Sequence, residues 1–376
     1  MINRFILDRK TTFLNHGSFG ACTKEVMNQY IEFQYKLENQ PVHFIEKEIP
    51  DLMIKSRKSL STFLNVDSND LILIDNPTTA INEIIRSLKL QPGDEIISTD
   101  HEYGAMDKAW EFITEKTGSI YKNIKLPFPI ESNYDITSTI VNNCSDKTKV
   151  LFISHITSPT AIIFPVKELC DFARKNNIII IIDGAHAPGH IELDIRNLNP
   201  DYYIGTCHKW LCTPKGVSFL YVNKEIQNKL DPLIIGWGWR DSETKLSNFQ
   251  SNHQWWGTRD MSSYFCIPLA IMIHQEKEMV HSRIQCLSKI SIIRKEINNI
   301  TKQSDICPNE MLGHMASMII PIENHLEIKN KLINEYNIEI PIFNWKGKNL
   351  LRVSYYLYNQ EKDINYLIKA LKEILS

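Results

Sequence analysis

The chain has 376 residues, a formal net charge of -2 and an ordinary globular composition, with 43% hydrophobic residues. This length is enough for two domains, or for one large domain with a smaller partner. A net charge so close to zero argues against nucleic acid or an anionic membrane as the main partner. The 8 cysteines are scattered and include no C-x-x-C pair, which argues against a disulfide framework or a structural zinc site.

Two features of the sequence predict a cytoplasmic protein. Residues 1–17 carry charges throughout and lack the continuous apolar core of a signal peptide. The longest uninterrupted apolar runs, such as residues 178–182, are far too short to span a bilayer. Free thiols also fit a reducing compartment.

Short apolar runs alternate with helical patterns between about residues 70 and 225. In chain order we predict a strand at 71–74, a helix at 79–88, strands at 95–99 and 149–154, a helix at 166–175, and strands at 177–183, 201–206 and 216–222. Runs this apolar and this short are typical of strands that are buried on both faces of a parallel sheet covered by helices. The predicted fold class is therefore α/β.

The pattern changes after about residue 260. A long helix at 262–299 is predicted, then an apolar run at 315–322, a helix at 327–336, an apolar run at 349–356 and a closing helix at 363–375. This order predicts a smaller α+β domain. We expect an N-terminal segment (1–20) that lines the functional site, a large domain (21–260) and a small C-terminal domain (261–376), packed tightly because no flexible linker separates them.

Residues just past each predicted strand are the first candidates for a site, because ligands of parallel α/β sheets bind beyond the carboxyl ends of the strands. Thr78 and Thr79 begin a helix, whose dipole and unpaired N–H groups favour a phosphate. The alternative is an ordinary N-cap threonine. At the next strand end, His101 could lie against an aromatic cofactor ring and Tyr103 could exchange a proton, although a capped helix start would also explain both residues.

Two further strand ends carry a carboxylate and an amine. Asp183 ends a run of isoleucines, where burial is costly unless a cation or donor is near, although many polar residues at strand ends are simply exposed. No metal is expected there, because Asp183 and His186 have no further ligands nearby in the sequence. Lys209, in IGTCHKWLCTPKG, is either a surface lysine or a shielded amine that can attack carbonyls. The four ends together suit pyridoxal 5'-phosphate (PLP), whose aldehyde needs a lysine and whose pyridine nitrogen needs an acid.

A set of motifs in a fixed order extends this interpretation to nearly the whole chain. They are FLNHGSFGA, NPTTA, TDHEYGA, SHITSPTA, DGAHAPG, CHKWLCTPKG, WWGTRD and LLRVSYYLYN. In this order they resemble the class V aminotransferase superfamily of fold-type I PLP enzymes, and within it the isopenicillin N epimerase-like branch. The resemblance implies the fold-type I PLP-dependent transferase fold, with a mainly parallel central sheet covered by helices and a smaller α+β C-terminal domain.

The resemblance also assigns roles around the cofactor. Lys209 would form a Schiff base with PLP, and Asp183 would pair with the protonated pyridine nitrogen. His101 would stack on the ring, and His186 would lie near the ring hydroxyl. The remaining cofactor residues would surround the phosphate: Thr78, Thr79, Thr206 and His208, with Gly257 and Thr258 from a neighbouring subunit. The last two imply a homodimer with active sites at the subunit interface.

The substrate would be an amino acid. By the same resemblance, Arg352 would clamp its carboxylate, and Asn15 and His16 would line the entrance. A guanidinium suits a carboxylate because it can make two parallel hydrogen bonds. The pocket for the substrate side chain is left open, with Trp237, Trp239 and Trp255 as candidate contributors.

The motifs leave the reaction open. The leading hypothesis is an epimerase or racemase in which Lys209 exchanges the Cα proton and Tyr103 or His16 is the second acid–base group. The alternatives are a C–S lyase that cleaves a cysteine conjugate by β-elimination, and a class V aminotransferase. Persulfide-forming desulfurases need a mobile cysteine in a loop that corresponds to residues 309–316, and this stretch has none. A binding module without catalysis is disfavoured because Lys209, Asp183 and Arg352 are all present.

Overall fold

The computed structural model describes residues 1–241, 244 and 246–375. The strands are β1 (Thr12–Phe13), β2 (Leu71–Ile74), β3 (Glu95–Thr99), β4 (Ile120–Ile124), β5 (Thr148–Ser154), β6 (Ile179–Gly184), β7 (Tyr202–Thr206), β8 (Ser218–Val222), β9 (Met315–Ile319), β10 (Ile338–Glu339), β11 (Ile342–Trp345) and β12 (Lys348–Ser354).

The α-helices are α1 (His16–Phe19), α2 (Lys24–Asn39), α3 (Pro41–His43), α4 (Ile49–Leu64), α5 (Pro77–Ser87), α6 (Gly104–Thr117), α7 (Asn133–Asn142), α8 (Val166–Lys175), α9 (Ile195–Leu198), α10 (Asn248–Gln254), α11 (Ile267–His274), α12 (Lys277–Thr301), α13 (His325–Tyr336) and α14 (Glu361–Leu375). A π-helical turn (Phe44–Glu48) joins α3 to α4. Short 3-10 turns lie at Ile2–Arg4, Ser68–Asp70, Lys224–Lys229, Tyr264–Cys266 and Asn309–Met311.

The central sheet has seven strands in the order β2-β8-β7-β6-β5-β3-β4. Its neighbouring strands pair in parallel from β7 through β6, β5 and β3 to β4, and only β8 runs against its two neighbours. The predicted α/β fold with a mainly parallel sheet is confirmed.

The isoleucine run of β6 shows why this sheet is buried on both sides. Ile180 and Ile182 belong to one hydrophobic cluster, while Ile181 belongs to a second cluster on the opposite face. Side chains alternate between the faces of a strand, so an uninterrupted apolar run packs into both clusters. The same alternation places Leu73 in the first cluster and Ile72 in the second.

A smaller sheet follows in the C-terminal part of the chain. It is antiparallel, in the order β11-β12-β9, and α12, α13 and α14 are the helices of this part. β1 pairs in parallel with β10, which ties the N-terminal segment to this part of the chain. The predicted domain limits at residues 20 and 260 stay a prediction, and position 376 lies outside the described residues.

The predicted long helix at 262–299 is wrong in detail. It is divided into the 3-10 turn, α11 and α12, with a break at Gln275 and Glu276. Glu276 adopts φ -56° and ψ 137°, and its carboxylate accepts hydrogen bonds from Arg4 at 2.5 and 3.2 Å. This contact joins residues far apart in the chain, so the local pattern could not predict the break.

Within the described part of the chain, none of the helices combines the length and the apolar character that crossing a membrane requires.

Candidate active site

Lys209 lies just after β7, at the sheet edge where the parallel strands end. Its Nζ is 3.2 Å from Nε2 of His186. Burial, and next the charge of Arg352, lower the pKa of Lys209 to about 7, while Asp183 acts against this shift. An amine with such a pKa is substantially neutral near pH 7 and can act as a nucleophile.

The hydrogen bonds of His186 fit a neutral Lys209. Trp210 Nε1, which can only donate, is 3.5 Å from His186 Nδ1, so Nδ1 accepts. Burial, followed by the charge of Lys209, holds the pKa of His186 well below its usual range, so the ring is neutral and carries its hydrogen on Nε2. Nε2–H can therefore donate to the lone pair of the lysine amine.

Asp183 is a buried carboxylate near the end of β6, 4% exposed. Its Oδ1 accepts a hydrogen bond from the Ala185 N–H at 3.0 Å. Burial raises the pKa of Asp183, and the Ala185 N–H and Lys209 oppose the shift. Among the described residues no side chain forms an ion pair with it, so a cationic group from a ligand would relieve its burial.

Arg352 lies on β12 and is 4% exposed. Its Nη1 donates to the Ser158 carbonyl at 2.5 Å and its Nη2 donates to Ser18 Oγ at 3.1 Å, but its Nε has no hydrogen-bond partner among the described residues. Burial lowers the pKa of Arg352 to about 10. A buried guanidinium without an acidic partner among the described residues is suited to bind a carboxylate from a ligand.

A family model for class V aminotransferases ("Aminotransferase class-V") matches residues 19–367. The chain belongs to the class V aminotransferase family.

Individual relatives agree with this assignment. The chain is 29% identical to isopenicillin N epimerase of Amycolatopsis lactamdurans, over 98% of this chain and 96% of that protein. It is 24% identical to hercynylcysteine sulfoxide lyase of Schizosaccharomyces pombe, over 100% of this chain and 97% of that protein. A solved structure of a C-DES mutant with glycine covalently linked to the PLP cofactor superposes with a TM-score of 0.86 at 22% identity, covering 97% of each chain.

These matches confirm the fold-type I architecture and PLP as the cofactor of this class V enzyme. The residues described above fit that cofactor. Lys209 offers a substantially neutral amine for the aldehyde, and Asp183 offers a buried carboxylate that forms no ion pair among the described residues for the protonated ring nitrogen.

The groups predicted for the phosphate lie in three places. Thr78 and Thr79 occupy the first turn of α5, where the Asn76 side chain accepts from the Thr79 N–H at 2.9 Å. Thr206 is fully buried and its hydroxyl donates to the Ala185 carbonyl at 2.7 Å. His208 Nδ1–H donates to the Val217 carbonyl at 3.1 Å, and burial lowers its pKa to about 4. Its Nε2 remains the ring nitrogen that can face a ligand.

Gly257 and Thr258 lie in an exposed segment after α10. Gly257 has φ +139°, and a side chain built on it would meet nothing within 4 Å. The open space around this backbone leaves room for contact with a second subunit. That Gly257 and Thr258 complete the phosphate site of a neighbouring subunit stays a prediction.

The predicted stacking of His101 on the cofactor ring stays a prediction. His101 is fully buried, with its Nδ1 2.7 Å from Thr160 Oγ1. Its ring centroid lies 4.7 Å from that of Trp345, in an edge-to-face arrangement, and 5.9 Å from that of Phe164. Tyr103, the residue before α6, is 49% exposed, and its side chain makes no capping hydrogen bond.

The predicted entrance residues differ in their exposure. Asn15 precedes α1 and is half-buried, and its Oδ1 accepts from the Ser18 hydroxyl at 2.5 Å. His16 is fully buried and lies behind Lys209, with its Nε2 3.1 Å from the lysine carbonyl oxygen. Of the candidate pocket residues, Trp237 is 88% exposed, Trp239 is 37% exposed and Trp255 is half-buried.

Glu102 is a residue of this region that the sequence analysis missed. It is 5% exposed and accepts hydrogen bonds from the Thr99 hydroxyl at 2.7 Å, the Ser154 N–H at 2.9 Å and the Ser154 hydroxyl at 2.5 Å. Burial raises the pKa of Glu102 to about 8, with an added effect of the charge on Asp183. Ser154 pairs with Asp183 across β5 and β6, so two buried carboxyl groups lie close together.

Ser18 and Ser158, which hold Arg352, were also missed. The only available signal was their position inside the motifs FLNHGSFGA and SHITSPTA. In the described part of the chain there is no cluster of histidine, cysteine, aspartate and glutamate side chains that could bind a metal ion.

Proposed function

We propose that this PLP-dependent enzyme is an epimerase or racemase that inverts the Cα of an amino-acid substrate. The observation that carries the proposal is the pairing of a half-buried amine whose pKa is about 7, Lys209, with a buried guanidinium that lacks an acidic partner among the described residues, Arg352. An α-amino acid presents an amine and a carboxylate on one carbon. The two side chains match these two groups.

The bound cofactor supplies an aldehyde that bonds to an amine and a ring that accepts negative charge from Cα. Asp183 would hold the cofactor by its protonated ring nitrogen, and Arg352 would orient the substrate by its carboxylate. Lys209, with a pKa near neutral, can take a proton from Cα and return it.

Inversion needs a second proton donor on the opposite face of Cα. His16 is poorly suited, because it is fully buried and both of its ring nitrogens are engaged, with Lys209 and Tyr358. Tyr103 is 49% exposed, and its hydroxyl makes no hydrogen bond to the described residues. We therefore assign the second acid–base role to Tyr103. The similarity to isopenicillin N epimerase supports inversion as the outcome.

The second candidate is a C–S lyase that acts by β-elimination on a cysteine conjugate. Its support is the full-length similarity to hercynylcysteine sulfoxide lyase, and the fact that elimination needs only one base at Cα. Transamination by a class V aminotransferase needs the same first proton transfer. The persulfide-forming route has less support, because residues 309–316 contain no cysteine. Cys307, which lies just before that stretch, is only 3% exposed, and burial raises the pKa of its thiol to about 11.

We further propose a cytoplasmic homodimer with active sites at the subunit interface. The free cysteines, all buried except the half-buried Cys144, support a reducing compartment. Exposed apolar residues support a second copy as partner: Ile235 is 62% exposed, Trp237 is 88% exposed and Phe19, the residue before Gly20, is 67% exposed. Light scattering of the purified protein should give twice the chain mass of 43.7 kDa.

Proton NMR of the PLP-loaded protein in deuterated water tests the proposed reaction. A panel of amino acids that includes cysteine conjugates is added, and the Cα signal is followed together with the optical activity. The proposal expects Cα deuteration and accumulation of the other enantiomer with an intact side chain. Pyruvate would instead establish the lyase, and a keto acid with its side chain intact would establish the aminotransferase. Lys209→Ala is the control, and inversion that persists in it would refute the role of Lys209.

A further inference from the structure

His16 makes two hydrogen bonds that fix its protonation. Its Nε2 is 3.1 Å from the carbonyl oxygen of Lys209, and its Nδ1 is 3.0 Å from the hydroxyl of Tyr358. Since a carbonyl can only accept, Nε2 carries the hydrogen, and Nδ1 accepts from the tyrosine. Burial, followed by the nearby charge of Lys215, keeps the pKa of His16 well below its usual range, so this neutral form persists.

Aromatic side chains hold the His16 ring in place. Tyr356 lies 4.2 Å from it and Trp210 lies 4.6 Å from it, measured between ring centroids. The Tyr356 hydroxyl donates to the Trp210 carbonyl at 3.1 Å. Two successive carbonyls, those of Lys209 and Trp210, are therefore held by side chains from distant segments of the chain.

The segment that carries His16 is pressed against the lysine backbone. Gly20 has φ +68°, and a Cβ atom added to it would lie 2.1 Å from the His208 carbonyl oxygen and 2.6 Å from the Lys209 carbonyl oxygen. On its other side, the Gly17 N–H donates to Ser354 Oγ on β12 at 3.1 Å. This short helix, α1, thus lies between the lysine loop and the strand that carries Arg352.

We propose that His16 is a positioning residue for Lys209. The Nε2–H of His16 fixes the backbone carbonyl of Lys209, so that the lysine side chain places its Nζ beside His186. The hydrogen bond between His16 and Tyr358 links this placement to the segment that follows Arg352. This inference rests on the proposed role of Lys209 as the residue that holds PLP. It does not depend on which reaction follows.

Two substitutions separate the hydrogen bond from the packing. His16→Gln keeps an amide N–H close to the position of Nε2 and loses the ring, whereas His16→Phe keeps a ring and loses the donor. Apo protein, stripped with hydroxylamine, is mixed with PLP, and the visible absorbance gives the rate and equilibrium of covalent capture. Thermal unfolding of each apo variant serves as the structural readout.

The proposal expects about tenfold slower capture in His16→Phe, because a small displacement of a reacting group lowers its rate strongly. The capture rate of His16→Gln should stay within about threefold of the wild-type rate, since one neutral hydrogen-bond donor replaces another. The proposal is overturned if His16→Phe captures PLP at the wild-type rate, or if both variants slow equally in proportion to a loss of thermal stability.

Tyr358→Phe is the second test and decides the matter if His16→Phe does not fold. Without the tyrosine hydroxyl, His16 Nδ1 loses its donor, so the ring keeps its hydrogen bond to the Lys209 carbonyl but loses one of the two hydrogen bonds that hold it in place. Capture should slow by about threefold, a loss comparable to one neutral hydrogen bond. An unchanged rate contradicts the proposal. These rates are measured without substrate, so a failure of the proposed epimerase activity would leave them standing.

Discussion

Replacing Arg352 by glutamine should raise the pKa of Lys209. The pKa of about 7 results mainly from burial and secondly from the charge of Arg352. At pH 7.5 about three quarters of Lys209 would be neutral in the wild type, compared with about one molecule in a thousand for an ordinary lysine of pKa 10.5. Because burial is the larger cause, the variant should titrate between these two values and closer to the wild type.

The assay is stopped-flow capture of pyridoxal, which lacks the phosphate, by apo protein between pH 5.5 and 10. Only the neutral amine attacks the aldehyde, so the rate should rise with pH to a plateau whose midpoint is the lysine pKa. Arg352→Lys keeps a positive charge and is the matched control, with an expected midpoint near that of the wild type. A wild-type rate that shows no plateau and still rises steeply at pH 10, or an unchanged midpoint in Arg352→Gln, would refute this account of the amine.

Three further predictions concern the second proton donor, the lysine loop and the buried carboxyl pair. Tyr103→Phe should still bind PLP and still exchange the Cα proton for deuterium through Lys209, but its rate of inversion, measured by chiral chromatography, should fall by at least about a hundredfold. An unchanged rate of inversion would show that Tyr103 is not the second proton donor. Gly20→Ala should abolish PLP capture, because the added Cβ would clash with the His208 carbonyl. Gly93→Ala is the control: Gly93 has φ +86° but open space around it, so the substitution should lower the free energy of unfolding in urea by only about 1–2 kcal/mol. For Glu102, whose pKa is raised from 4.5 to about 8, the stabilisation from the protonated carboxyl is complete below pH 4.5 and is lost as the pH rises through about 8. The free energy of unfolding of apo Glu102→Gln, relative to that of the apo wild type, should therefore rise by about 2–4 kcal/mol between pH 5 and pH 8. A difference that stays constant over this range would show that the carboxyl titrates normally.

Features set by local pattern could be predicted from the sequence. The isoleucines of β6 identified a strand buried on both faces, because each face of the sheet takes every second side chain. Asn76 and Pro77 mark the start of α5, two residues before the predicted start, since asparagine caps helices and proline suits the first turn.

Features set by contacts between distant segments could not be predicted. The break before α12 is held by Arg4, and the burial of His101 depends on Trp345. From the motif TDHEYGA alone, His101 and Tyr103 were both available to a ligand, and only the packing shows that Tyr103 is the exposed one. The partners of Arg352, Ser18 and Ser158, lie more than a hundred residues from it in the chain.

Reductive trapping tests most directly the claim that Lys209 is the amine on which the site depends. The PLP-loaded protein is treated with borohydride, digested and sequenced by tandem mass spectrometry. The account predicts one modified residue, Lys209. Lys215 is an internal comparison, because it lies in the same motif, its pKa is also lowered by burial, and its Nζ contacts the Gly20 carbonyl at 3.4 Å. Modification at Lys215 or elsewhere, with Lys209 unlabelled, would contradict the account.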